Sequence, residues 1–202
     1  MSAQNVKKSN KKIIGLTGNI ASGKSTALKM IQSLGFFTID SDDIVRNLWE
    51  EHDFIAHVST VFDLDLSKKD IKDDFVKRLF QEDTLRKQLE NIIHPRVFDV
   101  IETSIQNHEE TIVIDMPLLF EVSYEKHCDA VILIVIDEKT QMHRLLSRGL
   151  SEAEARLRIK AQMPQQEKML KTSYHIDGTL NEQTFKKTID KTLKEIVQDE
   201  TI

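Results

Sequence analysis

Short apolar runs alternate along the chain with segments of helical periodicity. The runs cover residues 13–17, 36–39, 111–116 and 130–136, and each has the length and the β-branched or aromatic content of a buried strand. Strands separated by helices favour a parallel sheet with right-handed crossovers. We therefore expect an α/β fold.

The longest helical segment in this pattern is residues 64–107, which we predict to be mainly helical. We expect breaks near residues 81–83 and at His94-Pro95, because the residue before a proline disfavours helical backbone. A helix is also predicted over residues 24–34, where apolar positions recur on one face.

The last part of the chain contains predicted helices on both sides of a glycine. Residues 138–162 indicate two helical stretches hinged near Gly149, since glycine adopts conformations that other residues avoid. Residues 180–196 have amphipathic spacing, and we expect this terminal helix to pack on the sheet.

Composition narrows the possible functions. The chain has 202 residues and a formal net charge of -5, so its total charge does not point to nucleic acid. The longest apolar run, residues 130–136, is too short to span a bilayer, and the polar first residues lack the apolar core of a secretory signal. The single Cys128 cannot form an internal disulfide, which fits a cytoplasmic location. We expect one domain over residues 12–200 after a flexible extension at 1–11, with no nucleic-acid or membrane partner.

Residues 18–25 carry the most specific chemical pattern, Gly-x-x-x-x-Gly-Lys-Ser between a predicted strand and a predicted helix. Gly18 and Gly23 allow a turn that points backbone N–H groups at phosphate oxygens. Lys24 can reach the β- and γ-phosphates of ATP, and the Ser25 hydroxyl can coordinate Mg²⁺. The predicted ATP-binding residues are Gly18, Asn19, Ile20, Ala21, Ser22, Gly23, Lys24, Ser25 and Thr26. The alternative is a glycine-rich turn without a ligand.

A phosphate-binding loop alone does not distinguish kinases from GTPases or motor ATPases. A guanine-reading Asn-Lys-x-Asp segment after a late strand is absent from the sequence. The small size of the chain and the arginines in residues 138–162 fit a small-molecule kinase better.

Acidic residues follow two of the predicted strands. Asp40 and Asp42 come after the second strand, at the carboxyl end where parallel sheets bind ligands, and can orient an attacking hydroxyl and order metal-bound water. In a compatible alternative, Asp40 ends the strand and Ser41, Asp42 or Asp43 caps the next helix. Asp115 ends the third strand and is placed like a Walker-B carboxylate, which holds metal through water.

Arginines are concentrated in the segment with the predicted hinge. Arg144 and Arg148 share one helical face, and Arg156 and Arg158 lie on the next stretch. A guanidinium is always charged and can bind two phosphate oxygens at once. For each of these side chains, a solvent-exposed surface position is an equally good interpretation.

Together these motifs resemble the dephospho-CoA kinase family of P-loop kinases over residues 12–193. The matching pieces are Gly15-Leu16-Thr17-Gly18, Ile39-Asp40-Ser41-Asp42, His94-Pro95-Arg96-Val97, Asp115-Met116-Pro117-Leu118-Leu119-Phe120-Glu121, Gln141-x-x-Arg144-Leu145 with Arg148, and Ala155-x-x-Arg158-x-x-x-Gln162. The resemblance implies a P-loop NTPase-type three-layer α/β/α fold with a parallel sheet, a helical CoA-binding insertion at about 64–107 and a helical lid at about 138–162.

The resemblance also implies transfer of the ATP γ-phosphoryl group to the ribose 3′-hydroxyl of dephospho-CoA, the last step of coenzyme A synthesis, with Mg²⁺ as cofactor. Asp42 is then expected to engage the 3′-hydroxyl, with Lys24, Arg144 and Arg148 as the other catalytic residues. The expected substrate-binding residues are Asp40, His94, Arg96, Asp115, Pro117 and Leu118. Ser25 and, through water, Asp115 are expected to hold the metal. ATP and dephospho-CoA are the expected partners of a monomer or small homo-oligomer.

The chain departs from the family pattern at three places. Asn19 stands where a second glycine is usual, and the lid turn at residues 148–151 is one residue shorter than the usual form. Residues 174–178, Tyr-His-Ile-Asp-Gly, replace the usual Ala-Asp and Asn-Gly pattern on the adenine side.

Two other functions share part of this pattern. Shikimate kinase also combines a P-loop with acids after the second strand, but it uses a Gly-Gly-rich acceptor loop, and this sequence has no two adjacent glycines. A non-catalytic nucleotide-binding regulator needs the P-loop but not Asp40, Asp42 and Asp115, which are all present.

Overall fold

Five strands form the sheet of the computed structural model, which describes residues 11–79 and 81–199. The strands are β1 (Ile13–Gly18), β2 (Phe37–Asp40), β3 (Ile112–Asp115), β4 (Ala130–Val135) and β5 (Tyr174–Asp177). Their order across the sheet is β2-β3-β1-β4-β5, and β1 pairs in parallel with both β3 and β4. This arrangement confirms the predicted α/β class and parallel sheet. The predicted flexible extension lies outside the described residues except for Lys11.

Nine α-helices occur in the described part of the chain. They are α1 (Lys24–Ser33), α2 (Ser41–Leu48), α3 (His52–Phe62), α4 (Lys69–Leu79), α5 (Asp83–Gln106), α6 (Glu138–Ser147), α7 (Glu152–Lys160), α8 (Gln165–Met169) and α9 (Glu182–Gln198), with a short 3₁₀ helix at Tyr124–His127. The chain divides into two compact units. The first contains the described residues up to Ile39 and from Glu109 onward, and the second is Asp40–His108.

The core of the first unit follows from the alternation of side chains along β1. Ile14 and Leu16 are fully buried and pack with residues of α1 and α9 on one face of the sheet. Gly15 faces the other side, where an added Cβ would lie 2.5 Å from Leu119 Cδ1. The segment after β3 therefore covers the second face, and the sheet is buried between two layers, as predicted.

The second unit consists of α2 to α5, and one predicted feature of it is wrong. α5 continues through His94 and Pro95, where we expected a break. A proline inside a helix removes one hydrogen bond and costs about 3 kcal/mol. Leu89 before it and Val97 after it are both buried, and burial of a side chain of this kind contributes about 1.5–3 kcal/mol each. The packed face of α5 thus outweighs the local preference. The predicted break near 81–83 is confirmed by the gap between α4 and α5.

Three short or weakly patterned elements were not predicted. α3 buries only Phe54 and Val58, so its apolar face is narrow. β5 has four residues, of which Ile176 alone is buried, because it lies at the edge of the sheet. α8 is a helix of five residues. Elements that are this short, or that bury as few residues as α3, are defined by their neighbours rather than by their own periodicity.

No helix in the described ranges has the combination of length and apolar character that crossing a membrane requires.

The described Cys128 is partly buried, and this burial raises the pKa of its thiol to about 12.

A buried ion pair connects α8 to the segment after β3. Lys168 is fully buried, and its Nζ lies 3.0 Å from Glu121 Oε1 and donates to the Pro117 carbonyl at 3.3 Å. Removing an ammonium from water is costly unless a counter-charge and hydrogen bonds replace the solvent. The pair therefore fixes the position of α8 once the unit has folded.

We expect Lys168→Met to lower the free energy of unfolding by about 3–5 kcal/mol, because it leaves the carboxylate of Glu121 without its counter-charge. Lys194→Met is the matched control, since Lys194 pairs with Asp190 on the exposed surface at 2.7 Å. That change should cost less than about 0.5 kcal/mol. Urea denaturation followed by circular dichroism measures both values, and equal losses would contradict a structural role for the buried pair.

Candidate active site

The predicted phosphate-binding loop connects β1 to α1. The Ser22 N–H donates to the Asn19 carbonyl at 3.0 Å, which closes a turn at the start of the loop. Gly23 has φ 107° and caps α1, so the left-handed conformation that favours glycine occurs where the helix begins. The N-terminus of a helix directs N–H groups and the positive end of its dipole outward, which attracts phosphate.

Gly18 has a packing constraint in addition to its predicted place in the phosphate-binding loop. Its backbone is not in the left-handed region, but an added Cβ would lie 2.6 Å from Ser22 Oγ and 2.8 Å from the Ile134 carbonyl oxygen. Close packing therefore requires glycine at this position, and its predicted contact with phosphate stays a prediction.

The loop lies at the point of the sheet where parallel α/β folds bind ligands. β1 is between β3 and β4, and the chain leaves β1 toward β2 on one side but later crosses from β3 to β4 on the other. The carboxyl ends of the strands adjacent to this reversal form the usual binding crevice.

Lys24 and Asp115 are brought together at this edge. Lys24 Nζ lies 2.5 Å from Asp115 Oδ1, and the two side chains are 13% and 3% exposed. Asp115 is the last residue of β3, which is hydrogen-bonded to β1, so parallel pairing places its carboxylate beside the loop. The structure thus joins the predicted phosphate-binding lysine to the predicted metal-binding acid, although their roles stay predictions.

Ser25 and Thr26 are exposed at the first turn of α1. Within the described residues, no group of three or more His, Cys, Asp and Glu side chains could hold a metal ion by itself. The Ser25 hydroxyl and the Asp115 carboxylate are oxygen donors of the kind that Mg²⁺ prefers when it is also bound by substrate phosphates. These two side chains therefore fit the predicted metal in chemistry.

The guanidinium of Arg144 donates hydrogen bonds to carbonyl oxygens of the phosphate-binding loop. Its Nη1 donates to Ala21 at 3.0 Å and to Ser22 at 3.2 Å, and its Nη2 donates to Gly178 at 2.8 Å. The guanidinium therefore connects α6 to both the loop and the turn after β5. Its predicted contact with ATP phosphates stays a prediction.

Gly178 is a site residue for which we predicted no role. A Cβ on this residue would lie 1.9 Å from the Ser22 carbonyl oxygen, closer than any real contact. Its N–H donates to the Val135 carbonyl at 2.8 Å, so the backbone is held against the loop. The sequence signals are a glycine after a short alternating segment and its place in residues 174–178, which depart from the family pattern on the adenine side.

Arg148 caps the C-terminus of α6 and is exposed, and Gly149 follows it with φ 86°. The two helices predicted for this segment are confirmed as α6 and α7. Arg156 pairs with Glu152 at 2.6 Å on the surface of α7, and Arg158 is exposed there as well.

Asp40 and Asp42 lie at the start of α2, where one prediction needs correction. The helix cap is Asp40, not Ser41 or Asp42, and its Oδ1 accepts from the N–H groups of Asp42 at 2.9 Å and Asp43 at 3.4 Å. Asp40 has extended backbone, as a capping residue must, whereas the next three residues are already helical. Asp42 is consequently fixed in the first turn.

His94 and Arg96 lie on α5 in the second unit. The His94 ring stacks on Phe98 with 6.0 Å between ring centroids, and burial lowers the pKa of His94 despite the opposing charge of Glu90. Arg96 donates to Glu51 at 3.0 Å in an exposed ion pair.

Pro117 and Leu118, the remaining predicted substrate-binding residues, are half-buried in the first unit. The Pro117 carbonyl accepts from the Thr17 hydroxyl at 3.2 Å, which ties the segment after β3 to β1.

Comparison with known proteins agrees with this geometry. The dephospho-CoA kinase family model matches residues 12–184. The chain is 36% identical to the dephospho-CoA kinase of Bacillus cereus over 181 residues, which is 84% of this chain and 90% of that protein. The structure of dephospho-CoA kinase from Campylobacter jejuni covers 93% of this chain and 98% of its own at 26% identity, with a TM-score of 0.70. Shikimate kinase from Aquifex aeolicus covers 92% of this chain and 98% of its own with a TM-score of 0.51, but at 17% identity it shows the fold alone.

The family match extends from the first strand into α9, and it includes the phosphate-binding loop, the acids after β2 and β3, and both α6 and α7. The chain belongs to the dephospho-CoA kinase family.

Proposed function

We propose that the P-loop, the acids after β2 and β3, and the lid arginines carry out the reaction of this protein, the ATP-dependent phosphorylation of dephospho-CoA in coenzyme A synthesis. The observation that carries the proposal is the contact between Lys24 and Asp115 next to the N-terminus of α1. A cation, an anion and a helix N-terminus at the carboxyl ends of neighbouring strands can bind a triphosphate and its metal together.

The phosphate groups of ATP are proposed to bind in the turn from Gly18 to Thr26. The N–H groups at the start of α1 would donate to the β-phosphate, and Lys24 would move its ammonium from Asp115 to the β- and γ-phosphates. Transfer passes through a transition state with charge on the γ-phosphoryl oxygens, so a positioned ammonium stabilises it.

Mg²⁺ is the metal that we propose, held by the Ser25 hydroxyl and, through water, by Asp115. When bound, it would neutralise charge on the phosphate oxygens. Asp115 would keep its place at the end of β3, and its carboxylate would be available to the metal-bound water once Lys24 contacts the phosphates.

Asp42 is proposed to accept the proton of the ribose 3′-hydroxyl as that oxygen attacks the γ-phosphorus. The cap formed by Asp40 fixes the first turn of α2 and thereby the position of Asp42. We propose that the acceptor is also contacted by His94 and Arg96, by Asp40, and by Asp115, Pro117 and Leu118.

A shikimate-kinase-like activity and a non-catalytic regulator are the alternatives, and neither matches the family. A cytoplasmic location, where ATP and dephospho-CoA are supplied, is part of the proposal, as is a monomer or small homo-oligomer as the working state.

An acceptor panel tests the substrate. With Mg-ATP, dephospho-CoA should give by far the highest kcat/KM among dephospho-CoA, shikimate, nucleosides and nucleoside monophosphates, because binding energy from its pantetheine arm can be used in the transition state. ADP release and product mass measure this directly. Turnover of another acceptor without turnover of dephospho-CoA would refute the assignment.

The roles of Lys24 and Asp42 can be separated by single substitutions. Lys24→Ala should lower kcat by roughly 10²–10³, the effect of losing one preorganised donor. Asp42→Asn removes the proton acceptor and should lower kcat by roughly 10²–10⁴ while ATP still binds. Asp43→Asn is the control, because Asp43 lies in the same turn but pairs with exposed Arg46 at 2.6 Å. Near-normal turnover of Asp42→Asn would reduce Asp42 to a structural residue.

The two lid arginines should behave differently. Arg148→Ala should lower kcat more than it weakens ATP binding, since its proposed contact strengthens toward the transition state, and Arg148→Lys should restore little. Arg144→Ala should weaken ATP binding as well, because it removes three hydrogen bonds to the loop and the turn after β5.

Arg156→Ala serves as the control for this pair, because its partner is exposed Glu152 on the same helix. Independent measurement of kcat and of the ATP Kd for each variant decides the question. Unchanged kcat in Arg148→Ala and in the double variant of Arg144 and Arg148 would assign Arg148 to the solvated surface and Arg144 to a structural role only.

A further inference from the structure

Two glutamines hold the backbone of one residue in the phosphate-binding loop. Gln162 Oε1 accepts from the Ile20 N–H at 2.8 Å, and Gln141 Nε2 donates to the Ile20 carbonyl at 2.9 Å. Gln141 is only 5% exposed. The backbone N–H can only donate and the carbonyl can only accept, so each glutamine must present a defined end of its amide.

The two glutamines come from opposite ends of the lid. Gln141 lies in the first half of α6, and Gln162 follows the end of α7. The same region has a third polar link, because Asn19 Nδ2 donates to the Met163 carbonyl at 3.2 Å. Both the start and the end of the lid segment therefore contact the P-loop.

Ala21, the next residue in the loop, explains why such support is needed. Its φ is 64°, a left-handed conformation that a residue with a Cβ rarely adopts. Strained backbone of this kind persists only where its surroundings fix it. Gln141 binds the carbonyl before Ala21, and Arg144 binds the carbonyl of Ala21 itself.

An apolar contact reinforces these hydrogen bonds. Ala21 is buried in a cluster with Leu145 of α6 and Ala155 of α7, and Ile20 packs against the same cluster. Gln162, Gln141 and Arg144 thus hold three successive peptide groups of the loop, between residues 19 and 22, from the lid side.

We infer that Gln141 and Gln162 are positioning residues for phosphoryl transfer, which set the P-loop for ATP by fixing the Ile20 peptide groups from the two ends of the lid. The inference rests on the proposed function, because the loop and lid act there on the same nucleotide. Neither side chain needs to touch ATP. They act by orienting the loop N–H groups and by holding the lid in the position that excludes water.

The opposite polarity of the two hydrogen bonds gives a sharp test. Gln162→Glu keeps an oxygen that accepts from the Ile20 N–H and should retain more activity than Gln162→Ala. Gln141→Glu places a carboxylate against the Ile20 carbonyl and should be worse than Gln141→Ala. Gln162→Ala should lower kcat by about 10- to 100-fold, the range expected of a small misplacement, with a smaller change in the KM for dephospho-CoA.

Hydrogen–deuterium exchange provides a readout that does not depend on the acceptor. Gln141→Ala and Gln162→Ala should both exchange faster in residues 18–26 and 138–162, and both should hydrolyse more ATP per coenzyme A formed. Failure of the wild type to phosphorylate dephospho-CoA would refute the proposed function, whereas the exchange rates would still decide the inference.

Gln165 offers a matched control. Its amide binds the N–H and carbonyl of Ile136 at 2.9 and 3.0 Å, the same type of link at the end of β4. Gln165→Ala should lower the Tm but leave exchange in residues 18–26 and the ratio of hydrolysis to transfer unchanged. The inference is overturned if Gln165→Ala reproduces the effects of Gln162→Ala, or if both alanine variants at 141 and 162 leave loop exchange and kcat unaltered.

Discussion

A loop that binds phosphate with its N–H groups must turn its carbonyl oxygens the other way, and those oxygens need donors of their own. In this protein the donors come from α6 and not from the sheet. Arg144 and Gln141 supply them to three consecutive carbonyls, those of Ile20, Ala21 and Ser22. Hydrogen bonds therefore join the loop directly to α6, although more than a hundred residues separate them in the sequence.

Close packing of two glycines against Ser22 also fixes the position of the phosphate-binding loop. Gly178 approaches the Ser22 carbonyl so nearly that no side chain fits between them, and Gly18 does the same for the Ser22 hydroxyl. The loop is thus enclosed by β4, by the turn after β5 and by α6. This enclosure offsets the strain at Ala21 and holds Lys24 beside Asp115 at the end of the two central strands.

Local features were predictable from the sequence, and features set by distant contacts were not. β1, the P-loop and α1 follow from an apolar run, two glycines and a helical pattern, all within about twenty residues. The passage of α5 through Pro95 depends on buried neighbours such as Val97, and the strand nature of β5 depends on pairing with β4. The same applies to Gln141 and Gln162, since nothing near either residue indicates that its partner is Ile20.

The two arginines of α6 show how a helix end changes the meaning of a pattern. Arg144 and Arg148 are four residues apart, so a helical projection places them on one face and suggests one role. α6 ends at Ser147, however, and Arg148 occupies the cap position before Gly149, where the chain leaves the helical path. Arg144 stays within the helix, between buried Gln141 and Leu145, and its guanidinium already donates hydrogen bonds to loop carbonyls.

On the proposed function, this division of labour has a physical advantage. A guanidinium that binds the loop in the absence of nucleotide contributes equally before and after phosphoryl transfer begins, and so it preorganises the site. A guanidinium that is exposed until the lid seats can add its interaction at the stage where the γ-phosphoryl oxygens gain charge. Only the second kind of interaction lowers the barrier relative to bound ATP, whereas the first kind prepares the loop to bind ATP. An enzyme of this type therefore benefits from one arginine of each kind.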